Sequence, residues 1–218
     1  HPAGCYAEEV IAPVSEITLR PEGLEATTAA GLGLAGLTAW QALFDKGQLK
    51  SGEKLLVLAG AGGVGHLAIQ LAKAAGAEVT ATSSTKNHAY LKDLGCDAVL
   101  DYQQVEMSSL ANQFDFILDG VGADTAIEAL IALKPNGRMV TLPSVTAAQV
   151  AEAAVGTDVS VISIRAEPNA VQLAELAKRA ANGELRLKVA QVLPLANAAD
   201  AHRLSASGHI SGKLILQV

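Results

Sequence analysis

Along this chain, short apolar or β-branched runs take turns with stretches in which apolar residues recur at helical spacing. The runs at 55–59, 78–82, 98–100, 114–119 and 138–142 predict strands. The stretches 86–95, 124–133, 167–182 and 198–207 predict amphipathic helices, and Gly76, Gly95 and Gly183 each come after a helix as stop signals. Further strands are predicted at 158–164, 188–192 and 213–218. Strand 158–164 alternates enough to lie at a sheet edge. This β-α order predicts an α/β fold, a doubly wound parallel sheet in which helices cover both faces.

Residues 54–76 organise the rest. Leu55–Leu58 and Ala59 form a strand of the doubly covered kind. Gly60, Gly62 and Gly65 then spell G-x-G-x-x-G, with Gly63 between them. Val64, Leu67, Ala68, Leu71 and Ala72 continue as a helix face. Such a turn lets backbone N–H groups approach a pyrophosphate, and the helix N-terminus adds partial positive charge. Three glycines alone are a weak signal. Their place between a strand and a helix makes it strong.

Earlier in the chain, 5–12 reads as a strand, and Pro21-Glu22-Gly23 breaks the chain soon after it. Residues 25–35 read as an Ala-rich helix. A second helix is expected from Thr38 on, between Gly36 and Gly47, with Trp40 as a packing residue.

The composition narrows the class. Half of the residues (50%) are hydrophobic and only 3% aromatic, so aliphatic layers build the core. The net charge of −6 and the scarcity of aromatics argue against nucleic acid as a partner. Mean hydropathy is +0.30, yet no run is long enough to span a membrane. The two cysteines make no disulfide framework, which suits a reducing, cytoplasmic setting. The five histidines and two cysteines show no metal-ligand spacing, so no metal site is expected. His66 reads as a helix-face residue, and His202 and His209 as surface groups.

The strand at 78–82 addresses cofactor choice. NAD-preferring sites of this kind place an acid about twenty residues beyond the glycines, against the adenosine ribose. Here Thr82, Ser83 and Ser84 occupy that place, with Lys86 nearby. Hydroxyls and a cation suit a 2′-phosphate, so NADPH is the expected cofactor. The same residues also fit an ordinary hydroxyl cap on the next helix. Tyr102 stands at the end of the third strand of the βα series. Gly120-Val121-Gly122 ends the fourth, where ligands collect in open α/β sheets.

Gly52-Glu53, Leu56, Gly60-Ala61-Gly62-Gly63-Val64-Gly65, Gln70 and Lys73 together resemble the signature of the medium-chain dehydrogenase/reductase superfamily, in its zinc-independent quinone oxidoreductase branch. Gly36-Leu37-Thr38-Ala39-Trp40 and Gly212-Lys213-Leu214 resemble two further motifs of that branch, and 5–13 resembles its strand before the crossover. The resemblance implies a Rossmann sheet of strand order 3-2-1-4-5-6 and a cofactor-binding role for twelve residues. Thr38 would lie near the nicotinamide, with Gly60, Gly62, Gly63 and Val64 at the pyrophosphate. Ser83, Lys86 and Tyr102 would surround the 2′-phosphate. Gly120, Leu142 and Ser144 would line the path between, and Lys213 would reach the cofactor from the last strand. Pro143 departs from the glycine common at its place.

The resemblance also divides the chain. Residues 1–24 would be a remnant of a GroES-like catalytic domain, 25–187 the cofactor domain, and 188–218 a return toward the catalytic domain. It implies a reductase of quinones or other electron-poor, α,β-unsaturated carbonyl compounds. An enoyl-thioester reductase and a non-catalytic NADP-binding fragment are the alternatives. No catalytic residue is assigned. A homodimer through the edge strand 158–164 is expected.

Overall fold

The computed structural model describes residues 4–218. The start of the segment 1–24, His1 included, lies outside the described residues. Six parallel strands form one sheet: β1 (Lys54–Val57), β2 (Glu78–Ser83), β3 (Ala98–Asp101), β4 (Phe114–Asp119), β5 (Leu133–Thr141) and β6 (Ser160–Ser163). Their order is β3-β2-β1-β4-β5-β6, and every neighbouring pair is parallel. This is the expected Rossmann order.

Side-chain alternation along the central strands explains the two helical layers. Leu55 and Val57 face a core built with α1 (Ala26–Trp40), α2 (Gly65–Ala74) and α6 (Ala170–Ala181). Leu56 and Leu58 face the other core, under α4 (Ala123–Ala129) and α5 (Ala147–Ala153). A strand feeding both cores must be apolar at every position, which is why 55–58 shows no polar alternation. The remaining helices are α3 (His88–Asp93) and α7 (Ala198–Ala206). Two last strands, β7 (Val189–Pro194) and β8 (Lys213–Gln217), pair in parallel as a separate ribbon.

Several local expectations need correction. Residues 5–12 form no strand; the segment runs as irregular backbone into a short 3₁₀ turn, Val14–Glu16. A strand needs a ladder partner, and none of the described strands pairs with this segment. The two helices expected around Gly36 are one, α1, which passes through it. Gly36 is there for packing rather than punctuation: a Cβ on it would stand 3.1 Å from Leu176 Cδ1. The helix then widens into a π turn over Gln41–Lys46. The helix expected over 124–133 ends at Ala129, and β5 already begins at Leu133, with a register shift opposite Phe114 and Phe116. Helix α5 was not expected at all; its short sequence is mostly alanine.

Candidate functional site

The glycine turn is held from both sides of the sheet. Leu58 N–H donates to Leu118 O at 2.9 Å, and Gly60 N–H to Thr82 O at 2.9 Å. Ala59 N–H reaches the Thr82 hydroxyl at 3.3 Å. Gly65 opens α2 so close to the turn that a Cβ would lie 2.4 Å from Ala59 O. Only glycine permits that approach of helix to loop.

Two clefts meet at this turn. The first, about 390 Å³, is lined by Gly62, Gly63 and Val64 from the turn, by Leu118 and Gly120 at the end of β4, by Leu142 and Pro143 after β5, and by Lys213. The N–H groups of Gly63 and Val64 donate to no group among the described residues. They lie at the N-terminus of α2, so free donors, helix dipole and the Lys213 ammonium converge on one place. That is an anion site suited to a pyrophosphate. The second cleft, about 400 Å³, shares Ala59 and Gly62 with the first. Thr82, Ser83, Ser84 and Lys86 at and after the end of β2, and Tyr102 after β3, lie on its wall, with Val121, Thr125 and Glu128 among the others.

Asp101 ties the two loops of that wall together. Its carboxylate accepts the Thr85 hydroxyl, and also the Gln103 N–H at 3.0 Å. The Thr85 hydrogen bond, with the Gln103 N–H behind it, holds this carboxyl below its ordinary range.

Nine of the twelve residues expected at a cofactor are brought together. Gly62, Gly63, Val64, Gly120, Leu142 and Lys213 line the first cleft, and Ser83, Lys86 and Tyr102 the second. Gly60, Thr38 and Ser144 line neither. Gly60 packs inward, where a Cβ would lie 2.7 Å from Ala81 Cβ. The Thr38 hydroxyl donates to Leu34 O within its own helix at 2.7 Å. Ser144 is exposed beyond Pro143.

Two residues that the sequence did not single out for this role shape the site. Asp119 is wholly buried at the end of β4. It accepts the N–H groups of Val121 (2.8 Å) and Gly122 (2.9 Å) and the Thr141 hydroxyl (2.7 Å). An acid at a strand end directly before Gly-x-Gly was the available signal. His66 is likewise wholly buried, not on an open helix face. Its Nδ1 lies 2.7 Å from Gly62 O, and its Nε2 accepts the Lys188 N–H at 3.1 Å.

Sheet order, glycine turn and paired clefts define a Rossmann domain of the kind that holds a nicotinamide dinucleotide. The sequence profile of the zinc-binding dehydrogenases matches residues 94–216. The chain is 32% identical over 226 residues to a chloroplast envelope quinone oxidoreductase homolog of Arabidopsis thaliana, covering 98% of this chain and 69% of that one. It is 30% identical over 244 residues to a mitochondrial NAD(P)H oxidoreductase of Danio rerio, covering 99% of this chain and 63% of that one. Among solved structures, the quinone oxidoreductase from Coxiella burnetii superposes with a TM-score of 0.89 at 38% identity, covering 92% of this chain and 63% of the other. The chain belongs to the medium-chain dehydrogenase/reductase superfamily, and it spans roughly two thirds of the length of these relatives.

The family profile's name refers to zinc. Among the described residues no group of three or more His, Cys, Asp or Glu is placed to hold a metal ion. No helix of the described residues is long and apolar enough to cross a membrane.

Proposed function

We propose that this chain is the cofactor-holding part of an NADPH-dependent reductase of the zinc-independent quinone oxidoreductase type, acting on quinones or other electron-poor, α,β-unsaturated carbonyl compounds. One observation carries the cofactor choice. Ser83, Ser84, Lys86 and Tyr102 line one cleft, and residues 83–86 at the tip of β2, whose last residue is Ser83, carry hydroxyls and a cation but no acid of their own, the Asp101 carboxylate beside them being taken up by Thr85 and Gln103. The bound dinucleotide supplies the hydride. The chain's own groups bind and orient it: the Gly63 and Val64 N–H groups and Lys213 offset pyrophosphate charge, and Asp119 fixes the turn at Gly120. The two cysteines are free thiols, in keeping with a reducing cytoplasm.

Titration of the chain with NADPH and NADH tests the reading. NADPH is expected to bind at least about tenfold more tightly, the scale of one charge-assisted contact to the 2′-phosphate. Equal affinity, or none for either, overturns it.

A second reading, reduction of an enoyl thioester, is favoured by a 32% identity over 236 residues to a mycocerosic acid synthase-like polyketide synthase of Mycobacterium tuberculosis. The CurK enoyl reductase structure also superposes, with a TM-score of 0.79 at 26% identity. Turnover of a quinone against an enoyl thioester separates the two. A chain that binds NADPH and turns over neither is a binding fragment only.

We also infer a homodimer through β6. It is one of the two outer strands of the sheet, and Val161 and Ile162 on it are only half-buried. An unpaired apolar edge invites pairing with a second copy. A monomeric mass by light scattering counts against it.

A further inference from the structure

His66 is the second residue of α2, and both of its ring nitrogens are engaged. Gly62 O can only accept, so Nδ1 carries the proton; Nε2 is then bare and takes the Lys188 N–H. The next link is Lys188 O, which accepts the Lys213 N–H at 2.8 Å, while Gly212 N–H donates to Ala61 O at 2.9 Å. These bonds close a ring that runs from the glycine turn through His66 and Lys188 to the backbone of Gly212 and Lys213, and back to the turn at Ala61. The Lys213 side chain lies directly over Gly63, where a Cβ would meet its Cδ at 2.8 Å and its Nζ at 3.5 Å.

We propose that His66 is a positioning residue for the cofactor pyrophosphate: by tying Gly62 to Lys188 it sets Lys213 over the free N–H groups of Gly63 and Val64. The inference rests on the dinucleotide reading above and adds to it a residue that touches no ligand. Burial favours the neutral ring that this arrangement requires, and the positive charges of Lys188 and Lys213 act in the same direction. A protonated ring would have no acceptor for the Lys188 N–H, and the β7–β8 ribbon would be left with the Gly212–Ala61 bond and without the His66 link to the turn.

The test compares two ligands on the full chain. On the dinucleotide reading NADPH would span both clefts, whereas 2′-AMP has an adenosine and a 2′-phosphate but no pyrophosphate. His66→Asn keeps a donor at the Nδ1 position and loses the acceptor for Lys188. It is expected to raise the NADPH Kd about tenfold and to leave the 2′-AMP Kd within about twofold. His66→Gln, whose Oε1 reaches the Nε2 position, keeps the acceptor for Lys188 but gives up the donor to Gly62 O, so it also breaks the tie and should weaken NADPH by a similar factor. In a Lys213→Met background His66→Asn should add less than about twofold, because its route to the ligand is already cut.

Equal weakening of both ligands, or full multiplication of the two losses, overturns the proposal. If the unsubstituted chain binds 2′-AMP or NADPH not at all, the dinucleotide reading itself fails, which is a different result. Should His66→Asn not fold, a long-range ¹H–¹⁵N spectrum of the unsubstituted chain decides: a proton on Nδ1 is expected, and a proton on Nε2 overturns the proposal.

Discussion

Arg138 grips Glu53 with both arms of its guanidinium, at 3.0 Å and 2.6 Å, while its central carbon lies 4.7 Å from the centre of the Phe116 ring. The pair joins β5 to the turn before β1, at the end of the strands away from the clefts. Glu53 also accepts the Lys50 N–H at 2.8 Å. Burial pushes its carboxyl upward, but Arg138 and the Lys50 N–H outweigh that and leave it below its ordinary value. The stabilisation is therefore present at neutral pH and is lost as pH falls through the carboxylate range. Arg138→Met leaves a largely buried carboxylate without its partner. It should cost about 2–3 kcal/mol in urea unfolding, with NADPH affinity unchanged.

Ala59 and Gly60 carry an inverted preference. Ala59 adopts φ +57°, the left-handed region that favours glycine. Gly60, next to it, needs to be small because Ala81 and Leu91 press on it. Ala59→Gly should relieve about 1 kcal/mol of backbone strain and raise Tm by about 2–4 °C. Gly60→Ala should lower stability by about 1–3 kcal/mol through overpacking. Differential scanning calorimetry reads both, and a loss of Tm in Ala59→Gly would contradict the backbone account.

The same turn shows why much of this fold was legible from sequence. Strand β1 feeds two cores, so its apolar run has no polar gap, and the glycines follow from close approach of helix and loop. Ser83, Lys86 and Tyr102 could be read as neighbours because parallel βα units put every strand end on one side. The features that could not be read depend on contacts distant in sequence. Gly36 looks like a helix break, yet it makes room for Leu176. His66 looks like an exposed helix residue, but its partner Lys188 lies far along the chain. The segment 5–12 has strand-like residues, but a strand is decided by its ladder partner and not by its own composition.

Buried His66 makes stability pH-dependent. Burial lowers its pKa from the ordinary 6.5 to about 4, with Lys188 and Lys213 adding to the effect and the Gly62 hydrogen bond opposing it. The unfolded chain thus binds a proton that the folded chain refuses. The contribution is complete above pH 6.5 and is lost progressively as pH falls toward 4, by up to about 3 kcal/mol. Carboxylates also lose stability in acid, so the comparison needs a variant. His66→Asn should unfold with a visibly shallower stability loss between about pH 7 and 4.5, and equal slopes would refute the assignment.

Asp119 is the buried anchor of the Gly120-Val121-Gly122 turn. Asp119→Ala strands two backbone donors and the Thr141 hydroxyl, a loss of about 3 kcal/mol or more. Because Gly120 lines the first cleft, NADPH affinity should fall together with stability. Asp119→Asn retains an acceptor for the two N–H groups and should recover most of both. Thermal unfolding and NADPH titration on the same samples check this, and an Asn variant as damaged as the Ala variant would point to the charge instead.

The sharpest test of cofactor choice is a single carboxylate at the tip of β2. Ser84 lines the second cleft beside Lys86, and its hydroxyl accepts from Asn87 Nδ2 at 3.2 Å. Ser84→Asp puts a negative charge where the 2′-phosphate is expected and where an NAD site keeps its ribose-binding acid. NADPH should then bind about thirtyfold more weakly or worse through like-charge repulsion, while NADH holds its affinity or gains. Lys86→Ala removes the opposite partner. Lys86 is solvent-exposed, so its loss should cost NADPH only about five- to tenfold and leave NADH unchanged. Titrations at two salt concentrations separate this from a fold effect, since a contact between exposed charges weakens with screening and a packing defect does not. If Lys86→Ala weakens NADPH and NADH alike, the cation serves a part of the dinucleotide common to both, and the preference for the 2′-phosphate must come from Ser83, Ser84 and Tyr102.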